Sequence, residues 1–151
     1  MSLRRAITNM LSTALITGAI LAGTFQPASA ASTGFAACSA ESCYGQDPVT
    51  SGCDVGAYIV LQGAAFGSAA NLWWSPSCQA NWLQYDVPDS HHLYGLVLWG
   101  SAGDMSAFQT KSPGWAWTDM VASPGAATMC IDRYDQSGGS QQQGGCWTQP
   151  S

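Results

Sequence analysis

The sequence predicts an all-β fold: a small antiparallel barrel or sandwich, stapled by disulfides and preceded by a signal peptide. Three observations carry that expectation. First, short apolar runs rich in Val, Ile, Leu, Tyr and Trp alternate with clusters of Gly, Ser, Pro and Asp, and no segment beyond residue 30 keeps a helical period over three turns. Second, all six cysteines (Cys38, Cys43, Cys53, Cys78, Cys130 and Cys146) lie beyond residue 30. An even cysteine count in a small exported chain reads as a disulfide framework. Third, residues 1–30 have the composition of an export signal rather than of a folded domain.

Within that leader, Arg4 and Arg5 form a short positive region, and Ala6 to Phe25 is mostly apolar. Ala28-Ser29-Ala30 then sets small side chains where a signal peptidase reads them, so cleavage is expected after Ala30. Thr8, Asn9, Ser12, Thr13 and Thr17 interrupt the apolar run and make it a poor spanning helix. No second long apolar segment follows, so no integral membrane segment is expected after cleavage. Residues 31–151 are read as a single secreted β-rich domain.

That domain opens on a small-residue lead-in, Ala31 to Ala37, and a cystine-bracketed loop of turn formers, Glu41 to Asp54. Ala57 to Gln62 and Asn71 to Ser75 read as strands, and Ser75-Pro76 breaks the chain. Cys78 to Tyr85 alternates with period two, which favours a strand carrying Cys78, Ala80 and Trp82 on one face. A helix opened by Ser75-Pro76 is the alternative there. Leu93 to Trp99, Trp115 to Val121 and Thr128 to Tyr134 are further strands. Ser137 to Gly145 reads as a flexible polar loop, after which Cys146 ties down the tail. Six cysteines allow about 15 connectivities. Locality favours Cys130–Cys146, with Cys38, Cys43, Cys53 and Cys78 paired among themselves. The absence of any CxxC pair argues against a zinc site.

Cleavage would leave Lys111 and Arg133 as the only basic residues against nine acidic ones. Nucleic-acid binding depends on Lys and Arg neutralising phosphates, so this balance excludes it and disfavours anionic membrane surfaces. With so few charges, the acidic excess serves solubility.

The stretch from Cys38 to Trp82 carries a recognisable pattern: Cys38, the block CYGQDP from Cys43 to Pro48, Gly52-Cys53, Ala57, Leu72, Ser75-Pro76, Cys78 and Trp82. It resembles the YjfA-like family, secreted domains of unknown function from actinobacteria and bacilli, with a fainter continuation at Thr118 to Val121 and Cys130. The resemblance implies an exported β-rich domain and implies no reaction. Gln46 and Trp73 stand where that family often has Lys and Arg, and Leu83-Gln84 replaces a common Ala-Arg. Each departure removes positive charge or adds apolar surface, which argues against carrying over an anionic ligand.

Read by their own chemistry, the matched residues are structural. Asp47-Pro48 suits a turn whose carboxylate accepts backbone N–H bonds, Gly45 and Gly52 suit special backbone conformations beside cystines, and Ser75 suits a turn or cap. His91 and His92 follow Pro88-Asp89 at a loop tip, where adjacent side chains diverge, and they read as a solvated turn rather than a metal site. Glycoside hydrolysis needs two placed carboxylates, and nothing pairs Glu41 with any of the eight Asp. No GxSxG element supports a serine nucleophile. Neither an enzymatic activity nor a cofactor is expected.

The seven tryptophans (Trp73, Trp74, Trp82, Trp99, Trp115, Trp117 and Trp147) are the remaining signal. Trp82 is the expected core residue. Trp73 and Trp74 are adjacent and face opposite ways in a strand, whereas Trp115 and Trp117 share a face. Trp74, Trp115 and Trp117 are the candidates for an exposed binding patch. The expected function is a secreted non-enzymatic binding module for a protein partner or extracellular assembly. The alternatives are a cell-wall or polysaccharide binder and a secreted antagonist: an antibacterial protein, or a protease inhibitor using the Glu41 to Asp54 loop.

Overall fold

The computed structural model describes residues 36–123, 125–135 and 140–150. The expected signal peptide, its cleavage site and most of the lead-in lie outside the described residues. A one-turn 3-10 helix, Ala40–Cys43, opens the described chain. Nine strands follow: β1 (Tyr58–Ala65), β2 (Ser68–Ser75), β3 (Ala80–Val87), β4 (His92–Trp99), β5 (Met105–Thr110), β6 (Gly114–Trp117), β7 (Val121–Ala122), β8 (Thr128–Asp135) and β9 (Gln141–Thr148). None of the described helices is long and apolar enough to cross a membrane.

The strands form two antiparallel sheets. One has the order β1-β2-β3-β6, with β7 also pairing β3; the other has the order β5-β4-β8-β9. Alternation along β2 and β3 sends Ala70, Leu72, Leu83, Tyr85 and Val87 inward, against Tyr94, Leu96 and Leu98 of β4 and Met129 and Ile131 of β8. Burying each of the larger side chains stabilises the fold by roughly 1.5–3 kcal/mol. The polar ends of the two core tyrosines are satisfied: Tyr85 donates to the Ala65 carbonyl and Tyr94 to the Asp89 carboxylate, both at 2.9 Å.

The opposite face of β3 is buried as well. Ala80 and Trp82 pack with Cys43, Cys53, Cys78 and Met120 in a second cluster beneath the cystine loop. Trp82 is therefore a core residue on the same face as Ala80, whereas Cys78 reaches this cluster from the turn before β3, where Gln79 takes a φ of 51°, so the strand starts at Ala80 rather than at Cys78. The disulfides are Cys38–Cys43, Cys53–Cys78 and Cys130–Cys146, so the first four cysteines do pair among themselves. The first two bridges touch, with Cys38 Sγ 3.7 Å from Cys53 Sγ.

Four features differ from the expectation drawn from sequence. Phe66-Gly67, with φ of 51° and 84°, turns β1 into β2 as a tight hairpin with two left-handed residues. Met105–Thr110 is an edge strand not anticipated, because only Ser106 of its six residues is buried. The strand expected over Trp115 to Val121 is two strands. At the break, Thr118 replaces a ladder partner with its side chain: Leu83 N–H donates to Thr118 Oγ1 at 3.2 Å, while Thr118 N–H donates to the Leu83 carbonyl at 2.9 Å. Met120 is turned to pair with the cystine loop, donating to the Gln46 carbonyl and accepting from Gly45 N–H.

The fourth difference is that Gln141–Thr148 is a strand rather than a flexible loop. Its Cys146 sits directly opposite Cys130 on β8. A bulge at Gly144 and Gly145 shifts the register and lets Phe66 and Trp147 press onto the backbone, where side chains at those glycines would collide with the rings.

Candidate functional site

β6 lies at the edge of its sheet, paired only with β3 among the described strands. Trp115 stands opposite Asp86 and Trp117 opposite Gln84, which places both indoles on the outer face, with Ala116 turned to the core. Trp115 is 51% and Trp117 36% exposed. On the same face, Trp73 of β2 stands directly opposite Trp82 of β3, and their rings stack with centroids 6.0 Å apart and planes 3° from parallel. Trp73 Nε1 donates to Gln84 Oε1 at 3.0 Å, which fixes the half-buried ring.

Trp117 is fixed from the cystine loop. Its Nε1 donates to Asp47 Oδ2 at 2.9 Å, while Asp47 Oδ1 accepts from the backbone N–H groups of Val49 and Thr50 at 2.9 and 2.8 Å. Asp47 is thus the turn residue expected, with its second oxygen committed to an indole. Burial works against its charge, but the donors from Thr50, Trp117 and Val49 outweigh it and hold the carboxyl below the usual carboxylate range. It is an ionised, fully engaged acceptor, not a proton donor. Gly45 and Gly52 take φ of 73° and 71° in this loop, the left-handed conformation that glycine permits. Ser75 acts as a turn residue, its hydroxyl accepting from Cys78 N–H at 3.4 Å.

Trp117 forms a wall shared by two open clefts. One, of about 450 Å³, lies between the β5 and β6 edges and is lined by Asp47, Phe108, Thr110, Ser112, Trp115 and Asp119. The other, of about 300 Å³, is lined by Val49, Asp54, Trp73, Trp82 and Gln84. Three carboxylates and no cation are among the residues lining them.

The structure therefore brings Trp115 and Trp117 together and leaves Trp74 apart. Trp74 stands opposite Tyr58 and lines a separate cleft with Tyr58, Val60 and Gln149. Trp73, Phe108, Gln84 and Asp119 take places at the site that sequence reasoning did not assign. The available signal was the adjacency of Trp73 and Trp74, which says that one faces out without saying which.

The remaining candidates have structural roles. Asp89 holds the β3–β4 turn, accepting from His91 N–H, His92 N–H and Tyr94 Oη and pairing with His92 Nδ1 at 3.0 Å. The four sulfurs of Cys38, Cys43, Cys53 and Cys78 lie within 4.8 Å of one another, and all are consumed in disulfides. The Glu41 to Asp54 loop is wound on itself, with Ser51 N–H donating to the Asp47 carbonyl and Cys53 N–H to the Pro48 carbonyl. Comparison with protein-family models, with curated proteins and with solved structures finds no match to this chain.

Proposed function

We propose that this chain is exported, cleaved after Ala30, and acts outside the cell as a non-enzymatic binding module whose extracellular partner seats on the face built around Trp117. One observation carries the reading: Trp115 and Trp117 are held exposed on a strand whose Ala116, between them, packs toward the core, and Trp117 is oriented by a carboxylate from a distant loop. The area of the two indoles that stays in water adds nothing to folding, whereas covering it with a partner gains roughly 25 cal/mol per Å² of apolar area. Tryptophan held rigid in this way is characteristic of binding hot spots.

Three disulfides suit an oxidising compartment, and the YjfA-like resemblance of Cys38 to Trp82 points the same way. The test uses protein purified from culture medium, whose first residue is expected to be Ala31. Wild type and Trp115→Ala/Trp117→Ala are compared for retention on cell-envelope and matrix fractions of the producing culture. Retention of wild type alone is expected. Equal retention of the two proteins, or a chain found only inside the cell, would overturn the proposal.

A further inference from the structure

We infer that the partner is a neutral, linear polysaccharide whose chain crosses Trp117, with sugar faces resting in the clefts on either side. The inference rests on the preceding reading of this face as a binding surface and names its ligand class.

The chemistry of the lining argues for it. A pyranose ring offers a face of C–H bonds, slightly positive, that packs on the negative face of an indole, and a rim of hydroxyls that both donate and accept. The two clefts supply those counterparts together: the rings of Trp115, Trp117 and Trp73 beside the carboxylates of Asp119 and Asp54 and the amide of Gln84. An apolar protein surface closing over the same face would strip water from those carboxylates and give them no donors, a cost of several kcal/mol. Sugar hydroxyls donate to them instead.

Charge narrows the class. No described cation lines either cleft, and Lys111 lines a neighbouring cavity that shares Thr110 and Ser112 with the first. The domain beyond residue 30 carries nine acidic residues against two basic ones. Phosphate- or uronate-bearing polymers are repelled by such a surface. Shape narrows it further. Both clefts are open to solvent and share Trp117 as a lining residue, which suits successive units of a chain better than a small molecule enclosed in a pocket. Finally, the rings are pre-set: Trp117 by Asp47, and Trp73 by Gln84 and by its stack on Trp82. Little rotamer freedom remains to be lost on binding.

The experiment is co-sedimentation of the secreted protein with insoluble cellulose and chitin, with chitosan and cross-linked polygalacturonate as the cationic and anionic comparisons. Retention on cellulose or chitin is expected, unchanged in about 1 M NaCl where exposed charges are screened, and weakened at least about tenfold by Trp117→Ala and by Trp115→Ala. Trp99→Ala removes an indole 40% exposed on the other sheet and is expected to bind as wild type. Near-ultraviolet circular dichroism of each variant confirms that it is folded.

Failure to bind either neutral polymer, binding that survives both Trp changes, or binding confined to chitosan or polygalacturonate and abolished by salt would overturn the inference. If envelope retention still depends on Trp115 and Trp117 while neutral glycans fail, the ligand class is wrong and the binding face stands. If neither depends on them, the face itself is wrong.

Discussion

Replacing Asp47 by Asn preserves the size of the side chain and removes the charge that joins the cystine loop to Trp117. The aspartate serves three donors, two backbone N–H groups on Oδ1 and the indole on Oδ2. An amide has one oxygen and one NH2, so a side chain that keeps the backbone pair turns a donor toward the indole N–H. Each turn bond falls from charge-assisted to neutral, a loss of about 0.5 kcal/mol apiece. The indole bond is lost outright, at about 1 kcal/mol rather than more, because Trp117 is 36% exposed and water takes the carboxylate's place.

The expected destabilisation of Asp47→Asn near neutral pH is therefore about 2 kcal/mol, read as a lowered urea midpoint with an unchanged slope. In a Trp117→Phe background no indole N–H faces the amide, and the cost of Asp47→Asn shrinks to about 1 kcal/mol, a coupling measurable by a double-mutant cycle. Acid provides an independent check. The carboxyl of Asp47 has a lowered pKa in the folded protein. Its contribution is full above the unfolded pKa and is lost as pH falls through the folded one, so the difference between wild type and Asp47→Asn closes in strong acid. Equal midpoints near neutral pH, the same cost in both backgrounds, or a gap that does not narrow as the pH is lowered into strong acid would each refute this account of the junction.

Two further changes test the scaffold. A Cβ on Gly63 would lie 2.5 Å from Cε2 and 2.6 Å from Cδ2 of the Trp147 indole, so Gly63→Ala forces a rigid ring aside and is expected to cost about 1–3 kcal/mol in chemical denaturation. With Trp147→Leu already present, the same change is expected to be neutral or slightly stabilising, since alanine is the better strand residue once the ring has gone. At the β3–β4 turn, burial opposes the charge of Asp89, but donors from His92, Tyr94 and the backbone outweigh it and bring the pKa to about 2. Asp89→Asn is expected to lower the thermal midpoint above about pH 4, with the difference vanishing as pH falls through about 2; a pH-independent difference would contradict it.

Half of the site was readable along the chain and half was not. Trp115 and Trp117 were legible as a pair because residues two apart on a strand share a face whatever the fold around them. Trp74 was the candidate, and the structure puts Trp73 rather than Trp74 beside Trp117. Alternation says that one of two neighbours faces out, but not which sheet face the core covers. Here the cystine loop buries part of the second face of β3 as well, through Ala80 and Trp82. The Asp47–Trp117 bond joins residues 70 apart in sequence, and neither residue signals the other locally.

By itself, the sequence determined what depends on neighbours within a few residues. The main strands follow from short apolar runs, with period-two alternation from Cys78 to Tyr85, the turns from Gly, Pro and Asp, and an all-β fold class from the lack of any sustained helical period. The tertiary structure alone decided what depends on distant contacts. β5 and β9 bury few side chains and carry little pattern of their own; they are strands because β4 and β8 offer them hydrogen-bond partners. Phe66 holds a positive φ, unusual for its type, where its ring meets Tyr94 and Arg133. The face around Trp117 exists for the same reason: a loop stapled by Cys38–Cys43 and Cys53–Cys78 is folded back onto one strand, and a single carboxylate spans the join.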